Sequence, residues 1–304
     1  MGKNKVKEGL KENLKEPNPT AELTASHRAA ESLKPETERI CDDPYAIHFL
    51  SLATLEIVKD PVKLKAFSQQ VGPLAQAMGT LIRLRVRYFD DFLKKSLKEG
   101  LEQLVILGAG YDTRAYRIEG LKENVKVFEV DHPHTQHFKI EKIKEIFGFT
   151  PEHVTYVPAD LETQTLNQSL FSAGYNRSKK TLFLMEGLIC YLTPETVDGI
   201  LSFIVENSGK GSIVLFDYHE ESVVNGTCEE GRILQKYFEQ VGESFKFGIE
   251  EGKIEEFLLK RGFSDITNVS SEDYKINCFK EMNENMAVHN PLYFVNAIVS
   301  ALQN

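Results

Sequence analysis

The stretch Leu104-Val105-Ile106-Leu107-Gly108-Ala109-Gly110-Tyr111-Asp112-Thr113-Arg114, followed by Phe128-Glu129-Val130-Asp131, constrains the fold more than any other part of this chain. Four consecutive apolar residues suit a parallel strand buried on both faces, and the two glycines let the backbone turn sharply and approach a ligand with no Cβ in the way. A second apolar run, Val125 to Val130, ends in Asp131, 23 positions after Gly108. A carboxylate at that spacing can accept both hydroxyls of an adenosine ribose, the alternative being a cap for the next helix. Strand, glycine turn and acidic strand end together read as a nucleotide-type cofactor site.

The remainder of the chain repeats this pattern. Apolar strands are expected at 103–108, 125–130, 153–157, 180–186, 211–217, 263–269 and 292–299, alternating with helical segments. Such alternation predicts an α/β fold, a doubly wound parallel sheet with helices on both faces. The helix 194–206 has Thr193 as its N-cap and Pro194 at its first position. Before the sheet, helices are expected over Thr24 to Leu33, Asp43 to Val58, Val62 to Gln70 and Met78 to Lys98. The domain reading is a flexible tail over 1–20, an N-terminal helical cap over 21–98, and a cofactor-binding domain over 99–304. Residues 219–248 separate a strand from the next helix by more than an ordinary loop, which suits a substrate lid or a surface excursion.

Two cofactor classes use this layout. A dinucleotide turn runs G-x-G-x-x-G, because the pyrophosphate sits on the helix N-terminus and the helix packs tightly on the strand. Here the third glycine is replaced by Thr113, and the neighbouring Asp112 and Arg114 suit an amino-acid-bearing cationic ligand better than a pyrophosphate. A nicotinamide oxidoreductase is the competing class, and it lacks a recognisable hydride-transfer pair. A cofactor-binding protein without catalysis is the third.

Charge narrows the partners. With 36 basic against 45 acidic residues the net charge is −9, which argues against a general nucleic-acid binder. Nothing in the composition suggests a membrane span, and the first 20 residues mix lysines with glutamates around no apolar core, unlike a secretory signal. Four scattered cysteines, Cys41, Cys190, Cys228 and Cys278, form no CxxC pair and fit reduced thiols in a cytoplasmic protein. His132, His134 and His137 invite a metal reading, but no carboxylate or cysteine completes a set, and no metal is expected.

Further motifs lie in order along the chain: Asp42-Asp43-Pro44-Tyr45-Ala46, Arg85-Val86-Arg87-Tyr88-Phe89-Asp90-Asp91, Pro158-Ala159-Asp160-Leu161, and Thr181 to Met185 running into Glu186-Gly187-Leu188-Ile189-Cys190-Tyr191-Leu192-Thr193-Pro194-Glu195. With LGAGYDTR and EVD, this set resembles the leucine carboxyl methyltransferase family over roughly residues 20 to 270. It is most similar to the bacterial members, S-adenosylmethionine-dependent O-methyltransferases often of unassigned substrate. The resemblance implies a class I methyltransferase sheet, Rossmann-like and mostly parallel with its last strand antiparallel, and S-adenosyl-L-methionine as cofactor.

It also implies roles for particular residues. Gly108, Ala109 and Gly110 form the cofactor turn and Asp131 binds the ribose. Asp160 and Leu161 match the pair that holds adenine, with a helix N-cap as the other role for Asp160. Arg85 matches the arginine that grips the methionine carboxylate, and Arg87 competes with it because the helical phase is open. Glu186, costly if buried alone, requires a partner and faces the amino or sulfonium end. Where relatives carry an N-terminal lysine contact, this chain has His27 and Arg28.

The acceptor is expected to be a small molecule or a carboxyl group, with the oligomeric state open. A carboxylate needs no general base, whereas a hydroxyl acceptor benefits from one. Tyr218, His219 and Tyr191 are the candidates for such a role, packing being the alternative for Tyr191.

Overall fold

The computed structural model describes residues 18–240, 243–279 and 292–300. Seven strands form one sheet: β1 (Gln103–Leu107), β2 (Lys126–Asp131), β3 (Val154–Pro158), β4 (Thr181–Met185), β5 (Ile213–Tyr218), β6 (Phe263–Ser270) and β7 (Tyr293–Val299), in the order β3-β2-β1-β4-β5-β7-β6. The first five are parallel, and β7 runs antiparallel to both of its neighbours. The expected doubly wound, mostly parallel sheet with a reversed last strand is present.

Both faces of the sheet are covered, so its central strands read as unbroken apolar runs rather than as alternating ones. Val105, Leu107, Phe128, Val130, Phe183, Met185, Val214 and Phe216 point to one side, where they pack with Leu166 and Leu170 of helix Leu166–Ser172 and with Val197, Ile200 and Ile204 of helix Pro194–Glu206. Their neighbours Leu104, Ile106, Leu182, Leu184 and Leu215 point to the other side.

Three N-terminal helices follow: α1 (Pro19–Ser32), α2 (Leu52–Lys59) and α3 (Pro61–Lys98). Leu81, Leu84, Phe89 and Leu93 of α3 join the second core layer against β1, β4 and β5. Burying such a side chain contributes about 1.5 to 3 kcal/mol, against at most about 1 kcal/mol for an exposed ion pair such as Arg87–Asp91 on the same helix. The apolar stripe therefore sets the rotation of α3, and the position of Arg85 follows from it.

The helix boundaries differ from expectation where capping groups decide. The Asn18 side chain accepts hydrogen bonds from the N–H groups of Thr20 and Ala21, and Pro19 opens the helix, so α1 begins five residues before the expected Thr24. The rest of the expected tail, residues 1–17, lies outside the described residues. The expected helix 43–58 is divided into a 3₁₀ turn, Ala46–Phe49, and α2, whose N-cap is Ser51. The two helices expected at 62–70 and 78–98 form one, started by Asp60, whose side chain accepts from Val62 and Lys63. Within 219–248 the chain forms helices Glu221–Val224 and Glu229–Gln240 and packs Val223 and Leu234 toward Met78 of α3. No described helix is long and apolar enough to cross a membrane.

Candidate functional site

β1 has β2 on one side and β4 on the other, so the strand order reverses there and a crevice opens beyond the carboxyl ends of the strands. A cleft of about 950 Å³, open to solvent, occupies this position. Its floor is the Gly108–Gly110 turn, and α1 contributes Thr20, Ala21, Thr24 and Arg28 to its lining. Gly108 and Gly110 have φ of +64° and +44°, a conformation that L side chains rarely adopt, and a Cβ on Gly108 would come within 2.7 Å of the Leu188 side chain. The turn is a cradle that side chains would fill.

Asp131 closes one end of this cradle. One of its carboxylate oxygens accepts the Gly110 N–H and the other the His132 N–H, the latter at 2.6 Å. Each oxygen retains a second acceptor site, so two ligand hydroxyls can be bound as well. Burial pushes the Asp131 carboxyl above its ordinary range despite these two donors.

The other end is a network of charges. Glu186, at the end of β4, lies between Arg85, with Nε 3.1 Å from Oε1, and Arg114, with Nη1 2.6 Å from Oε2. Arg85 Nη1 reaches Asp217 at 3.0 Å, and Asp217 also accepts the Gly187 N–H at 2.6 Å. A Cβ on Gly187 would lie 2.9 Å from Arg85, so the glycine makes room for the guanidinium. Arg114 further pairs with Asp90 and Asp112, Arg117 grips Asp90 with both terminal nitrogens, and Arg28 pairs with Asp43 at 2.8 Å.

Charges this buried persist only when paired. Burial opposes the charge on Arg85, yet Asp217 and Glu186 hold its guanidinium above the ordinary range. Burial likewise opposes Asp112, yet Arg114 and Lys139 bring its carboxyl down to about 2.

The cleft brings together Arg85, Gly108, Ala109, Gly110, Asp131, Glu186 and Tyr191 of the expected site. Glu186 has the partners its burial demands. Arg87 faces elsewhere: two residues along a helix amount to about 200° of rotation, and it pairs with Asp91 at 2.8 Å beside Phe279. Arg85→Ala is accordingly expected to weaken binding of a ligand carboxylate about tenfold or more, and Arg87→Ala less than twofold. Calorimetric titration of both variants checks this, and reversed penalties would refute the assignment. Of the N-terminal pair, Arg28 lines the cleft, whereas His27 packs against Gly79 of α3 and burial lowers its pKa to about 4.

Other expected residues stand apart. Asp160 follows Pro158, the β3 partner of Asp131, but its carboxylate turns into its own loop, accepting from the Glu162 N–H and the Thr163 hydroxyl. It closes a turn and does not cap a helix, since the next helix, Leu166–Ser172, has Thr165 as its N-cap, and the half-buried Leu161 packs against the main core. Tyr218 is also displaced. Alternation along β5 sends Asp217 and Tyr218 to opposite faces, so Tyr218 stacks on Tyr293 in the core while Asp217 meets Arg85. His219 stacks on Phe245, and burial with the nearby Arg85 lowers its pKa to about 4. Among the described residues no group of three or more His, Cys, Asp or Glu is arranged to hold a metal ion.

Sequence reasoning passed over Asp217 and Glu243. Asp217 carries the same signal as Glu186, a carboxylate closing an apolar strand. Glu243 carries no such signal, because it reaches the cleft from the insertion, where its carboxylate meets the Thr20 hydroxyl.

Comparison with known proteins places this geometry in context. A family model described as leucine carboxyl methyltransferase matches residues 21–205. A Bacillus subtilis protein provisionally named as an S-adenosyl-L-methionine-dependent methyltransferase, YktD, is 30% identical over 216 residues, 70% of this chain and 71% of that protein. A similarly named protein of Mycolicibacterium vanbaalenii is 30% identical over 227 residues, 73% of each chain. Among solved structures, an S-adenosylmethionine-dependent methyltransferase from Mesorhizobium loti aligns with a TM-score of 0.48 at 14% identity, covering 68% of this chain and 95% of that one.

Proposed function

The chain belongs to the leucine carboxyl methyltransferase family and is an S-adenosylmethionine-dependent methyltransferase, and from that premise we propose that its cleft binds the methyl donor and methylates an oxygen, that of a carboxyl group. The observation that carries the proposal is the pairing, in one cleft, of the Gly108–Gly110 cradle and Asp131 with Glu186 set between two arginines. Four arginines face five carboxylates across the lining, so a pyrophosphate would meet an excess of negative charge, whereas a ligand with an ammonium and a sulfonium would not. This balance favours a methyl donor over a dinucleotide.

Bound S-adenosylmethionine would supply a methyl group already activated by its sulfonium. The chain's own residues position and enclose it. Asp131 and the glycine turn hold the nucleoside, Arg85 meets the methionine carboxylate, and Glu186 meets the ammonium. Asp160 and Leu161 are left out of this assignment because neither lines the cleft. Orienting two bound reactants against this lining can lower a barrier by about 7 to 11 kcal/mol. Titration with S-adenosylmethionine, S-adenosylhomocysteine and NAD tests the reading. Tight binding of NAD with none of the other two would overturn it.

A carboxylate acceptor is favoured by the state of the candidate bases. Tyr218 is turned into the core, burial pushes the Tyr191 hydroxyl well above its ordinary range, and His219 is too weakly basic to draw a proton from an alcohol. Label transferred from S-adenosylmethionine in a metabolite extract is therefore expected to be released as methanol by mild alkali, as methyl esters are. Alkali-stable label would exclude the carboxylate and leave the methyltransferase with another acceptor.

A further inference from the structure

Of the five carboxylates that line the cleft, Asp43, Asp112 and Glu186 are paired with arginines, and Asp131 is engaged by two backbone N–H groups and assigned to the ribose. Glu243 is left over. It makes no ion pair among the described residues; the Thr20 hydroxyl donates to one oxygen, and the Tyr191 hydroxyl also hydrogen-bonds to the carboxylate. Both of these partners are neutral hydroxyls, so neither offsets the negative charge. A partly buried carboxylate with no cation beside it is costly, and a cation brought by the ligand would relieve that cost.

We propose that Glu243 is a charge-selective residue that favours the cationic methyl donor over its neutral product. This inference rests on the reading of the cleft as a methyl-donor site. Glu243 belongs to the insertion and is latched to α1 through Thr20, so it joins the cleft lining from a part of the chain separate from the Gly108–Gly110 turn. The paired carboxylates are already neutralised by arginines and contribute little net preference for a positive ligand. Glu243 meets a sulfonium before the methyl group has been transferred and an uncharged thioether afterwards. The attraction that holds the donor in the cleft is thereby withdrawn from the product, which favours its release. Neutral nucleosides with the same ribose and amino-acid contacts are discriminated against by the same means.

The test is the affinity of wild type and Glu243→Gln for three probes, measured by calorimetry: S-adenosylmethionine, S-adenosylhomocysteine and sinefungin, which carries an amine in place of the methyl-sulfonium group. Glutamine preserves the size of the side chain and its ability to accept from Thr20. Wild type is expected to prefer the two cationic ligands by about tenfold, and Glu243→Gln to reduce that preference to about twofold while binding S-adenosylhomocysteine as before. A variant that weakens all three ligands by one factor, or none of them, would overturn the proposal and leave the methyltransferase reading standing. If wild type bound none of the three, that reading would fall and this proposal with it.

Discussion

Arg114→Ala is expected to destabilise the protein by about 3 to 5 kcal/mol, read as a lower urea midpoint for unfolding. The Arg114 side chain is 3% exposed and pairs with Asp90, Asp112 and Glu186 together. Asp90 would keep Arg117, and Glu186 would keep Arg85, but Asp112, its side chain 9% exposed, would lose its ion-pair partner. The cost thus comes mainly from one orphaned carboxylate. Arg114→Met combined with Asp112→Asn should recover a large part of the loss, since a buried pair replaced as a whole is tolerated better than half of one. A single substitution costing under about 1 kcal/mol would mean that water reaches Asp112 and that the network is not a closed one.

The same carboxylate makes a prediction for acid. Held at about 2 against an ordinary 3.8, Asp112 binds its proton more weakly in the folded protein than in the unfolded chain. Its contribution to stability is therefore present above pH 3.8 and is lost as the pH falls toward 2.

Asp131→Ala should weaken binding of both S-adenosylmethionine and its demethylated product by about 2 to 4 kcal/mol, the loss of two charge-assisted hydrogen bonds to the ribose. In calorimetry this is an affinity lower by about thirtyfold to a thousandfold. Because burial raises the Asp131 carboxyl, affinity in the wild type should decline on acidification at a pH above the usual carboxylate range. Asp131→Asn should bind more weakly and lack that decline. Unchanged affinity in the alanine variant would remove the ribose assignment.

Much of this site was legible in the residues because strand ends are legible. An apolar run that stops at a glycine or a carboxylate marks the carboxyl edge of a parallel strand, and Gly108, Asp131 and Glu186, all marked in that way, line one cleft. Asp160 satisfies the same pattern but stands outside the cleft lining, its carboxylate accepting from the Glu162 N–H and the Thr163 hydroxyl. Tyr218 also stands outside it. The face that a strand residue presents depends on the register of the sheet, and β5 turns Asp217, rather than its neighbour, toward Arg85.

By itself, then, the sequence determined the seven strands and the glycine cradle, since each depends on local composition and short spacing, and the class of ligand followed from the resemblance carried by motifs in order along the chain. Tertiary structure decided the rest. Which arginine of α3 enters the cleft depends on the helix rotation imposed by Leu84, Phe89 and Leu93 against the sheet. The partners of Arg114 are drawn from α3, from the glycine turn and from the end of β4. Glu243 meets Thr20 across 223 positions of chain. Contacts of that kind have no period and no motif, because they arise only when separate elements have packed and a buried charge takes the nearest opposite charge within reach.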